Sequence, residues 1–198
     1  AVSRGSSLER DNNGLLTLAG GKITDYRKMA EGAMERVVEI LKAEFDRSFK
    51  LINSKTYPVS GGELNPANVD SEIEAFAQLG VSRGLDSKEA FYLANLYGSN
   101  APKVFALAHS IEQAPGLSLA DTLSLHYAMR NELVLSPVDF LLRRTNHMLF
   151  MRDSLDAIVG PVLDEMGRFY DWTEEEKADY RNDLEAALAN NDLEELKK

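Results

Sequence analysis

The segment LLTLAGGKITDYRK, residues 15–28, decides how this chain is organised. It begins as a short apolar strand, turns at Gly20 and Gly21, and continues after Lys22 into a helical pattern. Glycines let a ligand approach the backbone closely, and the first N–H groups of the following helix would face that ligand. Lys22 adds a positive charge, so the segment is suited to an anion or an electron-rich ring. The same pattern is also typical of an ordinary turn between a strand and a helix.

Beyond this turn the period of the sequence is helical. From Tyr26 to Phe49 apolar residues recur at steps of three or four with charged residues between them, which predicts a long amphipathic helix. Prolines and glycines then break the pattern over residues 53–66, which indicates a loop. We therefore predict an all-α fold of seven or eight helices, preceded by a short strand and turn.

The starts of the later helices are marked by side chains that can accept hydrogen bonds from free backbone N–H groups. The predicted caps are Asp70 or Ser71, Asp86, Asn100, Ser118, Ser136, Asp153 and Thr173.

Composition excludes several classes of function. A net charge of −10 disfavours binding to nucleic acid, and no apolar run approaches the roughly 20 residues that span a bilayer. We therefore expect neither a nucleic-acid partner nor a membrane span. The chain contains no cysteine, which excludes thiol catalysis and iron–sulfur clusters. His109, His126 and His147 share no i, i+4 spacing, so no metal site is predicted.

Several segments together resemble one enzyme family. Residues 20–27, GGKITDYR, are similar to the segment that closes the flavin domain of FAD-dependent glycerol-3-phosphate dehydrogenases and α-glycerophosphate oxidases. Further similar segments are residues 61–62, 96–100, 127–132 and 139–145. The resemblance spans nearly the whole chain, and residues 135–151 are most similar to the oxidases of lactic-acid bacteria.

The resemblance implies a domain organisation. Residues 1–23 would be the last segment of a FAD-binding domain, residues 24–52 a long connecting amphipathic helix, and residues 53–198 a helical C-terminal domain. The Gly-x-Gly-x-x-Gly phosphate loop expected of such a flavin domain occurs nowhere in the sequence. We therefore expect the chain to be the C-terminal portion of a longer enzyme, partnered by the N-terminal FAD domain of the same polypeptide.

The resemblance also implies roles for residues near the N terminus. Lys22 matches a lysine that lies beside the flavin ring and the substrate, so it is the predicted catalytic residue and also a cofactor-binding and substrate-binding one. Arg4 matches an arginine that helps to hold the substrate phosphate, to which a guanidinium fork is suited. The remaining predicted cofactor-binding residues, whose backbone would lie against the ring, are Gly20, Gly21, Ile23 and Thr24.

The reaction implied for the complete enzyme is oxidation of sn-glycerol 3-phosphate to dihydroxyacetone phosphate, with O₂ as acceptor and H₂O₂ as product. One alternative is a quinone-linked glycerol-3-phosphate dehydrogenase of the same family, and another is a stand-alone helical interaction module without catalysis. FAD is expected in the complete protein and not on this portion alone, which should be inactive. The expected location is cytoplasmic, with peripheral attachment to the inner face of the membrane as an alternative.

Overall fold

A computed structural model describes residues 5–145 and 147–190 of the chain. The chain divides into two compact units, Ala1–Val59 and Ser60–Lys198. The two units differ in burial: among the residues described, buried apolar side chains occur only in the second unit.

The first unit begins with a β-hairpin. Strands β1 (Ser6–Arg10) and β2 (Leu16–Gly20) pair antiparallel, with Leu8 opposite Leu18. The predicted short strand corresponds to β2, whereas β1 was not predicted. The reason is that the SSLER segment carries a single apolar residue, and its extended conformation depends on pairing with β2 across the turn.

The hairpin leads into helix α1, Tyr26–Phe45. The helix predicted over residues 24–52 is therefore too long at its C-terminal end. Asp46 adopts a left-handed conformation with φ 49°, and its N–H donates to the Leu41 carbonyl, which closes the last turn. The apolar spacing that continues to Phe49 is thus carried by non-helical chain.

The second unit is helical, and the predicted fold class is confirmed: the described residues form eight α-helices in all, together with the hairpin. The helices after α1 are α2 Val69–Ser82, α3 Ser87–Tyr97, α4 Ala101–Ala106, α5 Leu119–Asn131, α6 His147–Phe150, α7 Leu155–Tyr170 and α8 Glu174–Asn190.

Two apolar clusters form the core of this unit, and α5 contributes to both of them. Its residues in the cluster with α2, α3 and α4 are Ala120, Leu123 and Tyr127. Its residues in the cluster with α7 and α8 are Leu125, Ala128 and Met129. Nine of the thirteen residues of α5 are buried, so this helix is enclosed on nearly every side.

Several predicted caps are confirmed. The Asp86 carboxylate accepts hydrogen bonds from the N–H groups of Lys88 and Glu89, and the Ser118 hydroxyl accepts one from Asp121. The prediction for α2 is wrong, because the residue before the helix is Asn68 rather than Asp70 or Ser71. The remaining confirmed caps are Ser136, which accepts from the Asp139 N–H, and Thr173, which accepts from the Glu176 N–H.

The helix predicted after Ser136 is a π-helix over Asp139–Arg144. Both the N–H and the hydroxyl of Thr145 donate to the Phe140 carbonyl, at 3.0 and 2.9 Å, five residues earlier in the chain. Both arginines at its end are paired, Arg143 with Asp139 and Arg144 with Glu132. Single π-turns of this kind are frequent next to functional sites.

Two segments that carried the family resemblance meet at a backbone contact. The Gly61 carbonyl accepts a hydrogen bond from the Ser99 N–H at 3.0 Å, and a Cβ atom placed on Gly98 would lie 2.1 Å from the Gly61 oxygen. Asn100 adds a hydrogen bond to the Ser60 hydroxyl at 2.8 Å. The loop therefore fits on the end of α3 only because both positions are glycine.

No helix formed by the described residues combines the length and the apolar character that crossing a lipid bilayer requires.

Candidate functional site

The candidate site is the turn between β2 and α1. Gly20 and Gly21 both have positive φ, 93° and 80°, which favours glycine. A Cβ atom on Gly20 would lie 2.5 Å from the Gly5 carbonyl oxygen, and one on Gly21 would lie 2.6 Å from Met29 Sδ. The turn therefore keeps its backbone bare of side chains. Sequence analysis missed the supporting role of Met29, since its spacing does not distinguish it from other apolar positions of α1.

Lys22 follows in an extended conformation and begins a short 3₁₀ turn, Ile23–Asp25. Its carbonyl accepts a hydrogen bond from the Asp25 N–H at 2.8 Å. The Lys22 side chain is exposed and forms no ion pair with the residues described. Its ammonium group is thus available to a ligand.

The helix that follows has no side-chain cap. Neither Lys22, before the 3₁₀ turn, nor Asp25, before α1, accepts a capping hydrogen bond with its side chain. The first N–H of α1, that of Tyr26, donates to the Ile23 carbonyl. The N–H groups that follow it have no side-chain cap from Asp25, and such groups favour negative charge. This arrangement can stabilise an anion or a ring carbonyl that carries negative charge.

The structure brings five of the six predicted site residues together in one exposed stretch, residues 20–24. Ile23 is 91% exposed, which is unusual for an isoleucine and leaves its side chain open to contact. The sixth, Arg4, lies outside the described residues.

The three histidines lie in different surroundings. His109 is exposed and contacts the Arg83 guanidinium, whereas His126 Nε2 lies 2.8 Å from a Glu165 carboxylate oxygen. His147 Nδ1 lies 2.6 Å from the Thr145 hydroxyl. Within residues 5–145 and 147–190, no group of three or more potential ligands is close enough to hold a metal ion.

Burial lowers the pKa of the His147 imidazole below its ordinary value of 6.5, although the charge of Asp121 partly opposes this effect. The folded state therefore favours neutral His147. Its contribution to stability is complete above pH 6.5, begins to fall once the unfolded chain takes up the proton, and is lost as the pH falls through the lowered folded pKa.

We expect an NMR titration of the His147 ring to give a midpoint below 6.5. A His147→Gln variant should lose less stability on acidification than the parent in thermal melts, and a midpoint above 6.5 would contradict the prediction.

The described chain thus consists of a first unit with a β-hairpin, a glycine turn and one long helix, and a second unit that is helical. The model of a family described as the C-terminal domain of alpha-glycerophosphate oxidase matches residues 52–177. The chain belongs to this family.

Relatives of known name agree with the family. The chain is 93% identical to the alpha-glycerophosphate oxidase of Streptococcus pneumoniae over 197 residues, which is 100% of this chain and 32% of that protein. It is 52% identical to the alpha-glycerophosphate oxidase of Enterococcus casseliflavus, over 99% of this chain and 32% of that protein. The chain thus spans about a third of the length of these curated relatives.

A solved structure is also similar. The glycerol-3-phosphate dehydrogenase from Bacillus halodurans, complexed with FAD, matches with a TM-score of 0.81 and 31% identity. The match covers 92% of this chain and 36% of the dehydrogenase chain.

Proposed function

We propose that the chain is the C-terminal part of a FAD-dependent enzyme that oxidises sn-glycerol 3-phosphate to dihydroxyacetone phosphate, with O₂ as acceptor and H₂O₂ as product. The observation that carries the proposal is the turn at Gly20, Gly21 and Lys22, where a bare backbone adjoins a lysine that forms no ion pair with the described part of the chain. The names of the relatives, which are oxidases, support O₂ as the acceptor.

The turn fits a flavin ring on two grounds. Gly20 and Gly21 present backbone without side chains, because Gly5 and Met29 occupy the places where their Cβ atoms would lie. The bare backbone lets a ring approach closely, and Lys22 adds hydrogen-bond donors and positive charge. FAD held by this turn and by the rest of the enzyme would supply the redox chemistry, as the carrier of the two electrons that leave the C2 carbon of the substrate and reach O₂. The task of Lys22 is to hold an ammonium group where negative charge grows during the reaction. Arg4 would hold the substrate phosphate.

The exposed apolar side chains of the first unit favour a partner domain on the same polypeptide. None of the residues from 5 to 59 is buried, and large apolar side chains are exposed along the hairpin and α1. Examples are Leu15, Tyr26, Met34 and Phe45, each at least half exposed. A unit without a core of its own requires another surface to cover such residues, and an N-terminal FAD domain is the partner that we propose.

A quinone-linked dehydrogenase is the second candidate, and the observation that favours it is the dehydrogenase name of the similar structure. The location that we propose for the enzyme is the cytoplasm. Both candidates share the turn at Lys22 and differ only in the electron acceptor.

The proposal is tested by comparing the complete protein with the 198-residue chain. We expect the complete protein to purify with bound FAD and to consume O₂ in the presence of glycerol 3-phosphate, releasing one H₂O₂ for each O₂. The chain alone should be colourless and inactive, because one ring-facing segment cannot replace a dinucleotide-binding fold.

Other outcomes separate the alternatives. Reduction of a soluble quinone without O₂ consumption would identify the dehydrogenase. A complete protein that binds no flavin would contradict the proposal and leave the helical interaction module.

A further inference from the structure

A cavity of about 360 Å³ lies in the second unit, away from the turn at Lys22 in sequence. Its walls come from α3, from the start of α5 and from the segment that follows the π-helix. Leu93 and Ile158, one from each apolar cluster, both line it. The cavity therefore opens where the two parts of the core adjoin, and its volume is near the lower end for small-molecule sites.

A buried histidine in the cavity has one nitrogen without a partner. His147 is 4% exposed, and its Nδ1 lies 2.6 Å from the Thr145 hydroxyl oxygen. Because that hydroxyl donates its hydrogen to the Phe140 carbonyl, Thr145 accepts from His147, and Nδ1 carries the ring proton. Nε2 is then a lone-pair acceptor, and it forms no hydrogen bond with the residues described.

The cavity also contains a carboxylate. Asp121, in the first turn of α5, accepts a hydrogen bond from the Ser118 hydroxyl at 2.9 Å and lines the same space as His147. Its charge raises the pKa of His147, which burial lowers. It also raises the pKa of Tyr92, which burial raises as well. The remaining charged residues of the lining are Lys88, which is exposed, and Glu89, which is partly buried, and their charges are opposite in sign.

These features favour a ligand that donates hydrogen bonds and carries positive charge. The charges of the described lining residues sum to minus one when His147 is neutral, and the polar groups of these residues include two acceptors, His147 Nε2 and the Asp121 carboxylate. Tyr92 and Met151 add surfaces that pack against hydrocarbon or an ammonium group. An anion would instead meet the Asp121 carboxylate, and the described residues lack the ligand set of a metal ion.

We propose that this cavity binds a small organic cation, with a primary ammonium group donating to His147 Nε2 and Asp121 and a short hydrocarbon part against Tyr92, Leu93 and Met151. No lining residue named for the cavity belongs to the proposed flavin segment, and the proposal does not rest on the oxidase reaction.

Three probes of equal length test the charge that the site selects: butylammonium, 1-butanol and butyrate. With three histidines in the sequence, ring signals of the 198-residue chain can be assigned by substitution and followed by NMR. We expect butylammonium to shift the His147 signal saturably, 1-butanol to bind at least tenfold more weakly, and butyrate not to bind. Equal binding of the three probes, tighter binding of butyrate, or no saturable shift would overturn the proposal.

A matched pair of variants tests the role of Asp121. Asp121→Asn keeps the shape of the side chain and removes its charge, and it should weaken butylammonium binding about tenfold or more. Asp179→Asn makes the same change at an exposed position of α8 that does not line the cavity, and it should change the affinity less than twofold. An Asp121→Asn variant that is folded and keeps the parent affinity would overturn the assignment.

Discussion

Replacing Lys22 with alanine in the complete enzyme is expected to slow reduction of the flavin by glycerol 3-phosphate by a factor of about 10² to 10³, the usual effect of removing one preorganised stabilising group. The side chain is exposed in a turn and has no ion-pair partner among the residues described, so its loss leaves no cavity. The free energy of unfolding should therefore change by less than about 1 kcal/mol. Stopped-flow absorbance at saturating substrate measures the rate, and a thermal melt measures the stability.

Two further variants make the result specific. Lys22→Arg should recover little of the rate, because a planar guanidinium cannot place its charge at the point that an ammonium occupies. Lys28→Ala removes an exposed lysine of α1 that pairs with Glu31. The rate of flavin reduction in this variant should stay within about threefold of the parent rate. If the rate of flavin reduction in the Lys22→Ala variant also stays within threefold of the parent rate, Lys22 is only a turn residue.

Replacing Gly98 with alanine should lower the free energy of unfolding by about 3 kcal/mol. The residue has φ 52° and ψ −129°, a conformation that disfavours any side chain, and its new Cβ would lie 2.1 Å from the Gly61 carbonyl oxygen. Backbone must move to relieve that contact, which would disturb the hydrogen bond from the Ser99 N–H to Gly61. Urea denaturation of the 198-residue chain, followed by circular dichroism, measures the loss.

Gly32→Ala is the matched control. Gly32 lies within α1, and a Cβ atom there would meet nothing within 4 Å apart from its chain neighbours and the backbone of its own helix. Because alanine is the better helix former, this variant should be as stable as the parent or gain up to about 1 kcal/mol. Equal stability of the Gly98→Ala variant and the parent would show that the loop is not held against α3 as the structure indicates.

Much of the helical fold could be predicted because its signals are local. A cap such as Asp86 or Ser118 acts on backbone groups two or three residues away, so the sequence alone places the start of the helix. The same holds for the turn at Gly20 and Gly21, where the residues of the candidate site are consecutive. Their proposed roles rest on the family resemblance and stay predictions.

Other features escaped prediction because no residue type or spacing in the sequence marks them. Strand β1 is extended through its pairing with β2, and the end of α1 at Phe45 is set by the left-handed Asp46 although the apolar spacing continues. The π-helix likewise has the apolar pattern of an ordinary helix, and only its hydrogen bonds from Thr145 to Phe140 reveal the wider turn.

The sequence by itself thus determined the helical class, most helix starts and the contiguous turn at Lys22. Only the tertiary structure decided that Gly61 meets Gly98 and that His147 shares a cavity with Asp121, 26 positions earlier in the sequence. The physical reason is range: capping and helical periodicity act over one or two turns of chain. Backbone contacts and cavities arise where segments far apart in sequence pack together, and no local pattern records which segments will meet.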